Sequence, residues 1–268
     1  MVDAPRMPRR KRPVPRTFDE RCAAFSARAT PDQFFSHVTA ARLLGLPLPT
    51  RVVREPQLHV SVVAPLKAPE ARGIVGHTVD RPIRLVTIGE HRLASPVDAW
   101  AQLAGSLTEP DLIVMGDALV RKKRPFATMA ELEGAVADLD RRRGVRTLRA
   151  ASARIRPGTA SPPETELRLL IIAAGLPEPL VGYEVHDDGY FVGTPDLAYP
   201  AHKVAIEYEG EVHRVDLRTF REDIDRRERF EDAGWRVIRV TADHLRKPHA
   251  LIERIRYALG SRAATDRG

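Results

Sequence analysis

The sequence contains a single cysteine, Cys22, among its 268 residues, which excludes an internal disulfide and a cysteine-based zinc cluster. Aromatic residues make up only 6%, and no apolar run approaches the roughly 20 residues that a helix needs to span a bilayer. The basic N-terminus has no apolar segment of the kind found in secretory signals. Since 43% of the residues are hydrophobic, we expect a globular protein. The single cysteine is consistent with the reducing cytoplasm, which we expect as its compartment.

Positive charge is concentrated in two segments, although the formal net charge is only +7. Residues 1–16 hold six basic residues and one acid, and residues 121–149 hold nine basic residues and four acids. Such basic segments favour a polyanionic partner, most simply nucleic acid, although a solubilising tail and a solvated helix face are alternatives. In the first segment we expect phosphate contacts from Arg9, Arg10, Lys11 and Arg12.

Changes in the apolar pattern divide the chain. The first 16 residues contain four prolines and no apolar stripe, which predicts a flexible arm. The second half reads as helix, three strands, helix, strand and helix, with a turn at Asp187-Asp188-Gly189 between strands at 181–186 and 190–198. This order predicts an α/β sandwich around a central mixed sheet, preceded by a smaller mixed α+β domain. The predicted bounds are 1–16 for the arm, 17–150 for the first domain, 151–162 for a linker, 163–260 for the second domain and 261–268 for a tail.

Three acids are expected to meet in the second domain. Side chains alternate across a strand, so Glu207 and Glu209 share one face of the strand predicted at 203–209. Asp196 precedes this strand along the chain, on a segment expected to be its neighbour in the sheet. Converging carboxylates repel one another unless a cation neutralises them, and their hard oxygens suit Mg²⁺ or Mn²⁺. The alternative is that the charges protect an edge strand from aggregation and that Asp196 caps a turn.

Short motifs of the second domain follow an order typical of a known family. They are Ser161-Pro-Pro-Glu164, Pro195-Asp196, Glu207-Tyr-Glu209-Gly210, His213, Asp223-Ile-Asp-Arg226 and Gly234-Trp-Arg-Val-Ile-Arg239. In this order and spacing, roughly 100 residues resemble the Vsr-like endonuclease domain of the PD-(D/E)xK nuclease superfamily. The resemblance implies a restriction-endonuclease-like fold and metal-dependent hydrolysis of phosphodiester bonds.

Carried over by position, the resemblance gives each acid a role. Asp196 corresponds to the central metal ligand and Glu207 to the second acid. Glu209 stands where the superfamily usually has a lysine that positions the attacking water, and Vsr-like members commonly carry an acid or a histidine there. We therefore expect Glu209 to join the metal ligands and to orient or deprotonate water. His213 would assist as a general acid or base, because its ordinary pKa is near 6.5.

Two further side chains are candidates for the same site. Glu164 corresponds to the acid on the first helix of the family, although a capping box with Ser161 would also explain it. Periodicity does not separate Glu164 from Glu166, and the family pattern favours Glu164. Arg226 is expected to hold a phosphate, and an i,i+3 salt bridge with Asp223 is the alternative.

The first domain resembles a different group. Its segments at 35–49 and 87–100 are similar to the region found ahead of such nuclease domains and to AbiEi-like antitoxins. The leading hypothesis is a DNA endonuclease or nickase that requires Mg²⁺ or Mn²⁺. The rivals are an antitoxin-like DNA-binding regulator that retains a nuclease scaffold without activity, and a nuclease that acts on RNA.

Overall fold

The computed structural model describes residues 17–54, 56–139, 142–210 and 217–263; for 217–224 and 261–263 it describes the backbone alone. This part of the chain is an α/β protein, as predicted, and its two larger sheets are both of mixed strand direction. None of its helices combines the length and the apolar character needed to cross a membrane.

The first half is built on a five-stranded sheet. Its elements are α1 (Phe18–Ser26), β1 (Phe34–Phe35), α2 (His37–Leu43), α3 (Thr50–Val53), β2 (Leu58–Val63), β3 (Ile74–Val79), β4 (Leu85–Ile88) and β5 (His91–Ala94). The strand order is β3-β2-β1-β5-β4, with β2 and β3 parallel. Three of the six residues of β2 are valines, which favour an extended strand, and its Leu58 and Val60 are buried together with Phe34 and Phe35.

Four helices extend the first half beyond this sheet and give it a second core. They are α4 (Pro96–Gln102), α5 (Glu109–Leu119), α6 (Met129–Asp138) and α7 (Val145–Arg154). Ser95 caps α4 with Pro96 at its first turn, and threonine capping boxes begin α5 and α6. These helices bury Trp100, Leu132 and Leu148 among themselves, which gives the first half a helical core besides the one on its sheet.

The predicted linker is too long at its N-terminal end. Helix α7 continues to Arg154, and Ile155 is buried in the core of the first half. The helix that opens the second half, α8 (Pro162–Ala173), begins at the end of the predicted linker. The connection therefore covers residues 156–161, because the apolar side of α7 extends further than its fading periodicity indicates.

The second half is a layered α/β unit. Besides α8 it contains β6 (Leu180–Val181), β7 (Val185–Asp187), β8 (Tyr190–Gly193), β9 (Leu197–Tyr199), β10 (Val204–Glu209), α9 (Leu217–Asp232), β11 (Arg236–Thr241), α10 (Ala242–Arg246) and α11 (His249–Ala263). The main sheet has the order β11-β10-β9-β6, in which β10 and β11 are parallel and the other neighbours are antiparallel. Helix α11 continues to Ala263, past the predicted start of the tail.

Both faces of strand β10 are covered. Val204 and Ile206 pack with residues of α8 and α11, as the alternation predicts. Ala205 points to the other face, where it packs with Phe230 of α9. The sheet therefore lies between α8 and α11 on one side and α9 on the other, which is the arrangement expected of an α/β sandwich.

The strand predicted at 190–198 is divided in two. β8 pairs with β7 around the predicted turn at Asp188-Gly189, whereas β9 joins the main sheet. Pro195 lies between them, and it has no backbone N–H to donate to a ladder. The break places residues 194–196 at the edge of the main sheet instead of inside a strand.

A buried ion pair joins the two halves. Arg168 of α8 and Asp117 of α5 are both fully buried, and their Nη2 and Oδ2 atoms lie 2.9 Å apart. Asp117 also accepts hydrogen bonds from the Thr165 hydroxyl and the Arg156 backbone N–H, each at 2.8 Å. Arg168 donates further to Glu178 Oε1 at 2.9 Å. These additional hydrogen bonds help to offset the cost of burying the two opposite charges.

We predict that Asp117→Ala destabilises the protein by up to about 3–5 kcal/mol, because it removes the fully buried partner of Arg168 and leaves the partly exposed Glu178 as its remaining carboxylate. Asp243→Ala is the matched control, since it removes the partner of Arg246 in an exposed pair and should cost less than about 1 kcal/mol. Urea unfolding of the three proteins measures both changes. Similar losses for the two variants would contradict a special role of the buried pair.

Candidate functional site

Asp196 and Glu207 lie opposite each other at the edge of the main sheet. The antiparallel register pairs Leu197 with Ile206, so the next positions along the two chains are Asp196 and Glu207. The Tyr208 backbone N–H donates to Asp196 Oδ2 at 2.7 Å and fixes this carboxylate against β10. The predicted neighbourhood of these two acids is thus present in the structure.

Glu164 lies at the first turn of α8 and is 7% exposed. Its carboxylate accepts hydrogen bonds from the Ala160 N–H and the Ser161 hydroxyl, each at 2.8 Å. The Ser161 side chain makes no hydrogen bond that caps the helix, so the expected reciprocal capping box is incomplete. The charge of Glu164 nevertheless reaches Asp196, whose pKa it raises.

Glu166 faces another part of the protein. Its side chain is exposed, and the charge that acts on it is that of Asp111 in α5. Partial burial and this neighbour raise the pKa of Glu166. Of the two glutamates that the sequence leaves as competitors, the structure therefore brings Glu164 to the acids of the sheet.

Arg226 of α9 reaches into the same group of acids. Its Nη2 lies 2.7 Å from Glu207 Oε1 and donates to the Thr194 carbonyl at 2.8 Å. The close approach of α9 depends on Gly193, because a Cβ there would lie 2.9 Å from the Phe230 ring. Arg226, which is predicted to bind a phosphate, thus pairs with Glu207 in this structure. The side chain of Asp223, its alternative partner, lies outside the described residues.

Glu209 is paired with a second arginine. It lies two residues after Glu207 at the end of β10, and its carboxylate contacts the guanidinium of Arg239 on β11. Glu209 is therefore on the predicted strand face but turns toward the neighbouring strand. In the described part of the chain, no three carboxylate oxygens from different residues lie within 4.8 Å of one another. The side chains there that do approach this closely are three histidines of the first half, His37, His59 and His77.

The environment of Asp196 changes its acidity. Burial raises its pKa to about 7, and the charges of Glu164 and Glu207 add to this increase. The Tyr208 N–H and the Arg226 guanidinium act in the opposite direction. The carboxyl therefore takes up a proton near neutral pH unless a further cation stabilises its charged form.

The donor set fits a hard divalent cation. Asp196, Glu207 and Glu164 supply carboxylate oxygens, and burial together with the charges of Glu164 and Glu207 disfavours the ionised form of Asp196, an effect that a cation would offset. Arg226 and Arg239 already neutralise Glu207 and Glu209, so a bound cation would act chiefly on Asp196 and would share Glu207 with Arg226.

Other predicted site residues lie outside the described part of the chain. They are His213, Arg9, Arg10, Lys11 and Arg12. Sequence reasoning in turn missed Arg239, although its place between the apolar residues Ile238 and Val240 was a usable signal, because both of these neighbours are buried in β11. It also missed Tyr190 and Phe191, which are 80% and 58% exposed directly after the turn of the β7–β8 hairpin.

Comparisons with known proteins give relatives without an assigned activity. Two uncharacterised proteins of Mycobacterium tuberculosis, from strains CDC 1551 / Oshkosh and ATCC 25618 / H37Rv, are each 30% identical to this chain over 174 residues. The match covers 64% of this chain and 63% of each relative, which is just under two thirds of their length. No family model and no solved structure matches the chain. The function must therefore be inferred from the chemistry of the site.

We predict that Asp196→Asn stabilises the metal-free protein and that the gain depends on pH. In the unfolded wild type, Asp196 is ionised above pH ~4, whereas in the folded protein it stays protonated up to about pH 7. The folded state therefore binds one proton more than the unfolded state between pH ~4 and about pH 7, and the free energy of unfolding decreases as the pH rises through this range. Asparagine removes this loss, and the difference should grow from pH 4 to pH 7 toward an upper bound of about 4 kcal/mol. Urea unfolding in EDTA at pH 5 and pH 8 measures it.

Glu253→Gln provides the control, because Glu253 is an exposed acid of α11 paired with Arg256. Its stability relative to the wild type should change little between the two pH values. An Asp196→Asn effect of equal size at pH 5 and pH 8 would show that the carboxyl titrates normally in the folded protein.

Proposed function

We propose that this protein is a divalent-metal-dependent DNA endonuclease or nickase that hydrolyses phosphodiester bonds. The observation that carries the proposal is the meeting of Asp196 and Glu207 across β9 and β10, within reach of the charge of Glu164 on α8. The acids of the Vsr-like motif thereby come from three separate elements to one place. This is the pattern expected of a site in the restriction-endonuclease-like family that the sequence resembles.

Asp196 and Glu207 would hold Mg²⁺ or Mn²⁺, with Glu164 and Glu209 close to them in the fold. When bound, such an ion polarises a phosphoryl oxygen and activates water. Glu209 would orient or deprotonate this water, and the contact with Arg239 would hold its carboxylate in place. His213 would assist proton transfer. A site built from these residues needs a cation for Asp196 to remain ionised at neutral pH.

Positive and aromatic groups around the acids support a nucleic-acid substrate. Arg226 and Arg239 lie beside the acids and could exchange a carboxylate for a phosphate oxygen. Tyr190 and Phe191 are exposed on the hairpin that precedes Asp196 in the chain, and exposed aromatic rings can stack with unpaired bases. The basic segment at residues 1–16 adds a source of phosphate contacts.

A second candidate is an antitoxin-like DNA-binding regulator that retains the nuclease scaffold without activity. The pairing of Glu207 with Arg226 and of Glu209 with Arg239 favours it, because each arginine neutralises an acid without any metal. The absence of the usual lysine at position 209 points the same way. This candidate predicts DNA binding that is indifferent to divalent ions.

We predict that the wild type cleaves DNA with Mg²⁺ or Mn²⁺ and that Asp196→Asn and Glu207→Gln each reduce the rate at least ~100-fold, because each removes a ligand charge. The assay uses supercoiled plasmid, single-stranded DNA and RNA, each with either ion or with EDTA. Glu253→Gln should cleave like the wild type, since its exposed carboxylate pairs with Arg256 on α11. Preferential cleavage of RNA would favour the RNA-directed alternative.

Glu209→Gln separates the enzyme from the scaffold. In an enzyme, this variant should lose most cleavage and keep part of the stabilisation by Mn²⁺, which arises because the ion binds the folded state. If the protein is a scaffold without activity, Mn²⁺ should raise the melting temperature of neither the Glu209→Gln variant nor the wild type. Cleavage that is equal in the wild type and in the Asp196→Asn variant would identify a contaminating nuclease and count against the proposal.

We predict that two changes affect DNA binding in different ways. Deletion of residues 1–16 should flatten the dependence of log K on log salt by up to about five units, because up to six phosphate contacts are lost. Replacement of Tyr190 and Phe191 with serine should weaken binding to single-stranded DNA and leave this slope unchanged, since stacking releases no counterions. Fluorescence anisotropy at several salt concentrations measures both. An unchanged slope after the deletion would show that the arm does not bind DNA.

A further inference from the structure

Three histidines that are distant in sequence meet in the first half of the chain. His37 begins α2, His59 lies on β2 and His77 lies on β3. Parallel pairing of β2 and β3 brings the two strand residues together, with His77 directly opposite Ser61. A hydrogen bond from the Ser36 backbone N–H to the His59 carbonyl holds the start of α2 against β2. The fold itself therefore assembles this histidine cluster.

The ring nitrogens of the cluster are close enough to share one ion. His59 Nδ1 and His77 Nε2 lie 3.0 Å apart, and one ligand atom from each of the three residues lies within 4.8 Å of the others. A tetrahedral zinc ion with metal–nitrogen distances of about 2.0–2.1 Å places its ligands roughly 3.3 Å apart. The His37 ring stacks on the His77 ring with 3.8 Å between centroids, which keeps the third imidazole at the same place.

Neighbouring groups orient the His37 ring and backbone. The Ser36 hydroxyl lies 3.0 Å from His37 Nδ1 and accepts a hydrogen bond from the Ser61 hydroxyl at 2.7 Å. This contact occupies Nδ1 and leaves Nε2 for a metal, in the way that outer hydrogen bonds orient histidine ligands. The His37 backbone has φ +47°, which residues other than glycine seldom adopt, and its N–H donates to Gln102 Oε1 at 3.0 Å.

The histidine cluster differs in composition from the acidic site of the second half, which is formed by Asp196, Glu207, Glu209 and Glu164. In the part of the chain that the structure describes, no aspartate, glutamate or cysteine ligand atom joins the three imidazoles. Neutral imidazoles suit Zn²⁺ and related transition metals, whereas Mg²⁺ prefers oxygen.

We propose that His37, His59 and His77 form a Zn²⁺ site whose fourth position is taken by water. Three histidines with one open position are the ligand set of zinc ions that hold a reactive water, in contrast to the closed four-ligand sets of structural sites. The ion would also tie the first turn of α2 to β2 and β3. The site is separate in sequence and in ligand chemistry from the acids of the second half, and it does not depend on the nuclease proposal.

The test measures Zn²⁺ binding to the full chain without a histidine tag, after dialysis against a chelator. Competition with a chromophoric chelator should show one tightly bound Zn²⁺ per chain, and Co²⁺ should give the intense visible absorption of a tetrahedral site. His37→Ala and His77→Ala should each weaken Zn²⁺ binding at least ~100-fold, since each removes a direct ligand. Zn²⁺ should also raise the melting temperature of the wild type.

Two other histidines provide controls. His91 lies on β5 of the same sheet, where its Nδ1 contacts the Ser26 hydroxyl, and His213 belongs to the predicted acidic site. His91→Ala and His213→Ala should bind Zn²⁺ like the wild type. The proposal is overturned if the wild type binds no stoichiometric Zn²⁺, if Co²⁺ gives only a weak octahedral spectrum, or if loss of His213 abolishes binding while loss of His77 does not. If an alanine variant fails to fold, the wild-type measurements still test the proposal, because absence of stoichiometric Zn²⁺ or of a tetrahedral Co²⁺ spectrum overturns it.

Discussion

The fully buried contact between Arg168 and Asp117 fixes the position of helix α8, and much of the second half depends on that helix. Arg168 lies one turn after Glu164, so the residue that anchors α8 to the first half lies close to the residue that α8 brings to the acids. Leu167 and Ile171 of the same helix form part of the core under the main sheet. One helix thus combines three contacts: with the first half, with the sheet and with the acidic site.

The acidic site is held together by an uneven distribution of countercharge. Glu207 and Glu209 each have an arginine, from α9 and β11 respectively, whereas Asp196 has a backbone N–H and a more distant Arg226. Asp196, whose pKa burial and the charges of Glu164 and Glu207 raise, is therefore an acid of the site that an added cation would stabilise in its ionised form.

The sequence predicted the parts of this site that depend on local pattern. Alternation along 203–209 predicts which side chains of β10 face the core, and the turn at Asp188-Gly189 predicts the β7–β8 hairpin. The prediction of one strand over 190–198 was wrong, because Thr194, Pro195 and Asp196 interrupt the apolar residues and the two ends of the segment belong to different sheets. The pairing of Glu207 with Arg226 and of Glu209 with Arg239 could not be predicted from the sequence, since it depends on how α9 and β11 lie across the sheet.

The histidine cluster shows a different limit of sequence reasoning. His37, His59 and His77 are separated by about twenty residues each, and no short spacing of the kind seen in zinc motifs connects them. Their meeting depends on the parallel pairing of β2 with β3 and on the attachment of α2 to β2, both of which are long-range features. The same holds for Asp117 and Arg168, which lie in segments that the sequence assigns to separate domains.

The contact between Asp117 and Arg168 also restricts how this chain can evolve by recombination. A crossover within residues 156–161 would join the second half to a foreign first half, and Arg168 would then meet a surface without a matching carboxylate. The same crossover would leave Asp117 of the original first half facing an unrelated helix. The two halves are therefore expected to be inherited together, with the charge pair acting as a compatibility requirement between them.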